Sequence, residues 1–142
     1  MGSNLLEVAV VAVHSVVAQT NDRLDEALEE HGLTQATAQA MWAIDPTEDP
    51  PSMKTMAQRL FCNAPNLTFV TNQLADRGLV ERIVDPADRR SRLVRLTEDG
   101  LRVRAALIDA ALAVSPLANL AAEDLKRLIA VLAEALESPR DS

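Results

Sequence analysis

The chain has 142 residues, 48% of them hydrophobic and 25% charged, which is enough for one folding unit with a buried core and too little for two enzyme-sized domains. Twenty-three Ala and 20 Leu against four Gly, two Phe, one Trp and no Tyr favour a mainly helical protein, and a net charge of -7 argues, taken as an average, against a polyanionic partner. A single cysteine, Cys62, excludes an intrachain disulfide and a Cys-rich zinc site, and His14 and His31 are too few and too isolated for most metal centres, so neither metal nor cofactor is expected.

Residues 4 to 31 read as one long helix closed by Gly32. Its first half, 5 to 17, is apolar nearly all the way round, whereas 21 to 30 keeps only Leu24, Ala27 and Leu28 on one stripe. The first half must therefore be covered on more than one side, either by a second copy of the chain or by the rest of the monomer. The apolar run from 5 to 18 is broken by Glu7 and His14 and falls short of the roughly 20 residues that cross a bilayer. No basic segment precedes it and no cleavage site follows, so a cytoplasmic protein without membrane attachment is expected.

Thr34 caps a second helix running to about Ile44, and Pro46, Pro50 and Pro51 force a loop over 45 to 52. Ser52 then caps a short helix over 53 to 60 with Met56, Ala57 and Leu60 facing inward, and Asn63 caps another over 64 to 77, which Gly78 ends. Two short helices about three residues apart have helix-turn-helix spacing. Cys62 stands five residues before Leu67, the spacing of a hydrophobic staple, and nothing cationic adjoins it in sequence to activate a thiol.

After Gly78 the period changes. Residues 79 to 84 and 92 to 96 read as strands, and 85 to 91, with Pro86 and four charged residues, reads as a solvated hairpin tip. A hairpin after a helix-turn-helix is a wing. Thr97 caps a helix whose apolar positions Leu101, Ala105, Ile108 and Leu112 follow the helical period up to Ser115 and Pro116. A last helix over 122 to 137 carries Leu125, Leu128, Ile129, Leu132 and Leu136.

Charge follows this division. Between Lys54 and Arg104 ten basic residues face six acidic ones, so that segment carries +4 and the remainder -11. An acidic body with a basic middle can offer one face to a polyanion while repelling it elsewhere, although ordinary solvated scatter gives the same tally.

At Met56-Ala57-Gln58-Arg59-Leu60, at 63 to 77, at Gly78-Leu79-Val80-Glu81-Arg82, and above all where Asp85-Pro86-Ala87-Asp88-Arg89-Arg90 runs into Leu93-Val94-Arg95-Leu96-Thr97-Glu98-Asp99-Gly100, the chain resembles the MarR family of bacterial transcriptional regulators. The resemblance is close over 53 to 104. It implies a single mainly α domain with a small β-hairpin wing: a winged helix-turn-helix lobe over 34 to 97, and dimerisation helices over 4 to 32 and 98 to 138. It also implies a homodimer that binds double-stranded DNA, represses promoters and often answers to a small ligand.

The residues support a physical account of that role. With Leu67, Val70, Thr71 and Leu74 turned inward, Asn66, Phe69, Asn72 and Gln73 remain on the outward side of the second helix, where amides suit adenine and a phenyl ring suits a thymine methyl. An A·T-rich core in each half-site is expected. On the wing, Arg90 resembles the family's minor-groove arginine and Asp88 the acid that holds it, while Arg89 and Arg92 suit phosphate. Ser52, Thr55 and Thr68, with Lys54 and Arg77, are candidate phosphate contacts. His14, Met41 and Trp42 are candidates for an effector pocket, with Trp42 as ordinary core the alternative.

No nucleophile-base-acid set, phosphate-binding Gly loop or metal spacing is present, so an enzyme is not expected. The rival reading is a winged-helix protein-interaction module that does not bind DNA, motivated by the overall acidity and the weakly basic second helix. A small-molecule carrier or enzyme built on the helical body has only the pocket near Trp42 to recommend it.

Overall fold

The computed structural model describes residues 2–60 and 64–137. Six α-helices and one hairpin follow in order: α1 (Gly2–Glu30), α2 (Gln35–Trp42), α3 (Met53–Leu60), α4 (Ala64–Asp76), β1 (Val80–Asp85), β2 (Asp88–Leu96), α5 (Glu98–Val114), a 3-10 turn (Pro116–Asn119) and α6 (Ala122–Glu137). The Asn63 cap and the Cys62 staple lie outside the described residues.

Both predicted glycine stops are present. Gly32 has φ +66° and Gly78 φ +74°, a left-handed conformation that glycine adopts without the Cβ penalty. Behind each, the next residue donates its N–H five residues back, Leu33 to the Leu28 carbonyl at 2.9 Å and Leu79 to that of Leu74 at 3.0 Å. All four leucines are buried, so each helix end is sealed by hydrogen bonds and by apolar contact together. The start of α2 is equally defined: Thr34 Oγ1 accepts the Thr37 N–H at 3.3 Å while Thr37 Oγ1 accepts the Thr34 N–H at 2.9 Å, a reciprocal box with threonine in the third position.

Helix α2 stops at Trp42, two residues before the expected Ile44. Its last carbonyls are taken by guanidinium groups: Arg104 donates to Met41 O at 3.1 Å and Trp42 O at 3.2 Å, and Arg59 donates to Ala43 O at 2.6 Å. Positive charge at that end also suits the helix dipole. The proline-rich loop opens at Asp45, whose Oδ1 accepts the Thr47 hydroxyl at 2.7 Å and the Thr47 N–H at 2.9 Å; these bonds hold its carboxyl below the usual carboxylate range. The loop closes on the sheet, with Pro51 O accepting the Val94 N–H at 2.8 Å.

The core gathers Leu24 and Leu28 of α1, Met41 and Ile44, Met56 of α3, Leu67 and Leu74 of α4, Val94 of β2 and Leu107 of α5. In α5 the sequence marks Leu101, Ala105, Ile108 and Leu112, but the inward stripe is Gly100, Val103, Leu107, Ala110 and Ala111, and Leu101 and Leu112 are exposed. The helix carries two apolar stripes, and the one with small residues lies against the lobe. The first half of α1 is exposed along Leu5, Leu6, Val8, Val11, Val13 and Val17, and no residue of α6 is buried. The alternative that the monomer covers the first half of α1 therefore fails.

The wing pairs antiparallel, from Val80 opposite Leu96 to Val84 opposite Arg92. Beyond that the register shifts and Asp85 pairs with Asp88, which leaves Arg89, Arg90 and Ser91 as a bulge on β2. The tip is thus only Pro86 and Ala87, and β2 begins four residues before the expected Arg92. Toward its tip the ribbon is wet on both faces and tolerates charge throughout, so the charged run does not end the strand as the sequence pattern suggests.

Candidate nucleic-acid interface

The outward face of α4 is as the helical period dictates. Leu67, Thr71 and Leu74 are buried and Val70 is half-buried, while Asn66, Thr68, Phe69, Asn72 and Asp76 are exposed. Phe69 is 63% exposed, an unusual position for a phenyl ring on a well-packed helix. Gln73 is half-buried. It sits with Asn66 on the flank toward α2, where both line a cavity of about 380 Å³ shared with Thr34, Gln39 and Phe69. Asp76 continues the stripe of Phe69 and Asn72, an acid outside the set expected on this face.

Asn72 does not stand alone. Its Oδ1 accepts a hydrogen bond from Nη2 of Arg82 on β1, a wing residue missed in the sequence, where nothing marks positions ten apart as neighbours.

The predicted cations divide. Arg92 turns back on the wing, donating to Arg89 O at 3.1 Å and Ser91 O at 3.3 Å, so it braces the bulge. The Arg77 guanidinium lies over the end of α1: a Cβ built at Gly32 would be 2.5 Å from its Nη1. Arg95, on the other face of the sheet from Arg82, pairs with Glu81 through Nε at 2.9 Å. Among the described residues Lys54, Arg89 and Arg90 keep exposed side chains without an ion pair or hydrogen bond. Asp88 holds Arg90 through the main chain, Oδ1 accepting the Arg90 N–H at 3.1 Å. It fixes the backbone from which the guanidinium projects and does not grip the guanidinium itself.

Ser52 and Thr55 are half-buried at the start of α3, where Ser52 Oγ accepts the Thr55 N–H at 3.0 Å and the two hydroxyls are 3.0 Å apart. Their hydroxyls serve the helix cap. The three candidates for an effector pocket are not brought together. Met41 is 0% exposed and belongs to the core, His14 is exposed on α1, and Trp42 borders a shallow groove with Gln39, Ala43, Arg59 and Leu60. Among the described residues no group of three or more His, Cys, Asp or Glu could hold a metal, and no helix is long and apolar enough to cross a membrane.

Comparison with known proteins agrees with this geometry. Residues 31–91 match the model of the MarR family. The organic hydroperoxide resistance transcriptional regulator of Bacillus subtilis (strain 168) is 31% identical over 87 residues, a match covering 61% of this chain and 59% of that protein. The chain thus matches about three-fifths of that relative's length. CouR from Rhodococcus jostii RHA1, bound to p-coumaroyl-CoA, superposes with a TM-score of 0.76 at 21% identity, over 92% of this chain and 93% of that one. CouR bound to a 23-mer DNA duplex gives 0.72 at 20% identity, over 97% and 98%. At these identities the two structures establish a shared fold that extends through the long terminal helices. With its helix-turn-helix, its hairpin wing and its matching central segment over residues 31–91, the chain is similar to the MarR family of winged helix-turn-helix transcriptional regulators and shares the fold of its solved structures.

Proposed function

We propose that the protein is a homodimeric repressor that binds an inverted-repeat DNA operator through α4 and the wing, and that a small-molecule effector releases it. The observation that carries the reading is the outward stripe of α4, where an exposed phenyl ring stands among amides and buries little in its own chain. A major groove gives that ring a thymine methyl and gives the amides base edges. Asn66, Thr68, Phe69, Asn72 and Gln73 are the proposed reading surface. Arg90 enters the minor groove from the bulge that Asp88 and Arg92 hold, and Arg89, Lys54 and Arg77 meet phosphate; Ser52 and Thr55 border the same path. The DNA complex of CouR supports this assignment by shared fold.

In the dimer, the first half of α1 and α6 meet their counterparts. The effector acts by binding unequally to two arrangements of the lobes, since a ligand with equal affinity for both shifts nothing. The p-coumaroyl-CoA bound by CouR is one ligand that this fold accommodates in a relative.

Selection of DNA by the purified protein from a randomised duplex pool tests the reading. The expected product is an inverted repeat with half-sites about 10 bp apart and A·T-rich under α4, whose affinity falls steeply with salt. Enrichment of no sequence, or binding indifferent to salt, favours the protein-interaction module instead. A G·C-dominated motif under α4 overturns the proposed readout alone.

A further inference from the structure

We propose that Arg82, on the first wing strand, is a positioning residue for sequence readout, and that its hydrogen bond to Asn72 makes this amide select a guanine. The inference rests on the reading of α4 as the recognition helix.

Arg82 lies opposite Val94, on the sheet face that carries buried Val80, Val94 and Leu96. That face packs toward the helices, and the exposed Arg82 side chain on it brings its guanidinium to α4. Glu81 and Arg95 share the other face and neutralise each other there. The hydrogen bond of Arg82 goes instead to a neutral side chain, the Asn72 carbonyl oxygen.

This bond changes what Asn72 can read. An asparagine with both ends available clamps adenine, accepting from N6 and donating to N7. With Oδ1 facing a guanidinium, the orientation of the amide is fixed and its NH2 is what remains for the duplex. The charge-assisted bond also polarises the amide and strengthens that NH2 as a donor. A donor calls for an acceptor. Guanine presents two in the major groove, N7 and O6, where adenine and thymine each present one. The neighbouring guanidinium adds a positive potential that favours the same edge. Asn72 should therefore mark one guanine in a half-site that is otherwise A·T-rich.

The test compares motifs selected from a random duplex pool by the wild-type protein and by Arg82→Ala, Arg82→Lys, Asn72→Ala and the Arg82→Ala/Asn72→Ala double variant. The wild type should require guanine at one position per half-site. Arg82→Ala should lose that requirement by roughly tenfold in relative affinity, drifting toward adenine as the amide regains both ends. Arg82→Lys, which keeps a charged donor, should retain part of the preference. In the Asn72→Ala background the loss of Arg82 should have no further effect at that position. The Asn72 side-chain amide resonances of the DNA-free protein should move in Arg82→Ala, a readout independent of operator binding. If Arg82→Ala lowers affinity equally for all sequences, Arg82 is a phosphate contact and the proposal fails. Loss of thermal stability with an unchanged motif makes Arg82 a structural residue, and the proposal fails in that case too. If the wild type selects a motif without that guanine, this inference fails while the DNA-binding reading stands; if it selects nothing, both fall.

Discussion

Three arginines within four residues of the wing have different environments, and side-chain type alone does not separate them. Arg92 spends its donors on two carbonyls of its own bulge, whereas Arg89 and Arg90 project into solvent. A guanidinium presented from a braced backbone loses less entropy on entering a groove than one on a loose loop. Arg90→Ala should therefore weaken operator binding by about 1–3 kcal/mol if it reads the minor groove, and reduce specificity at the flanking A·T step. Fluorescence anisotropy at fixed salt with flank-substituted duplexes measures both, and unchanged affinity would return Arg90 to the solvated surface. Asp88 and Arg90 are legible in the sequence as a pair. The atom that joins them is not, because the Arg90 N–H and the guanidinium are equally available to a carboxylate two residues away.

At the scale of elements, legibility follows the strength of local chemistry. Helix ends written in Gly32, Thr34, Gly78 and Thr97 fall within a residue or two of their expected places, since each rests on a cap or a left-handed turn contained in a few neighbouring residues. The start of β2 and the inward face of α5 differ from expectation because both depend on distant partners. The outer part of the wing, wet on both faces, has no alternation to read, and α5 offers two apolar stripes without saying which meets the lobe. Thr97 shows how much one cap can hold. Its Oγ1 accepts the Gly100 N–H at 3.0 Å and donates to Gly78 O at 2.6 Å, and its N–H donates to Leu79 O at 3.0 Å. One threonine therefore ties the end of α4, the root of the wing and the first turn of α5. Thr97→Ala should cost about 1–2 kcal/mol, read as a lower urea midpoint with unchanged slope at fixed protein concentration. Thr97→Ser, which keeps both hydroxyl bonds, should stay near the wild type. Equal losses in the two variants would move the effect from the hydroxyl to the lost methyl group.

The whole molecule has one large unmet demand, the apolar surface of α1 and α6. Ile129 is 65% exposed and Leu136 83% exposed, and a second apolar line from Leu5 to Val17 runs along α1. Ala12, Val13, Val16 and Val17 of α1 share an apolar cavity of about 290 Å³ with Leu117, Leu128 and Leu132, so the two surfaces adjoin. Contiguous apolar area of this kind marks an interface, and a two-fold dimer lets each copy cover the other with the same patch. The charge division suits the proposed arrangement, because the -11 outside residues 54 to 104 would keep a paired body off a duplex and leave the lobes to meet it. Ile129→Glu isolates the demand, since this side chain buries little within one copy and its replacement leaves the lobe's core intact. In the dimer it would place a carboxylate in an apolar contact, where an unpaired charge costs several kcal/mol. Sedimentation equilibrium should report a dimer for the wild type and a monomer for Ile129→Glu at the same micromolar loading, with helical circular dichroism retained in the lobe. Affinity for an inverted repeat should then drop to that of a single half-site, because the second recognition helix no longer arrives at a high local concentration. A wild type that sediments as a monomer, or an Ile129→Glu variant that remains dimeric and binds the full repeat, would place the interface elsewhere and remove the geometric basis for a two-fold operator.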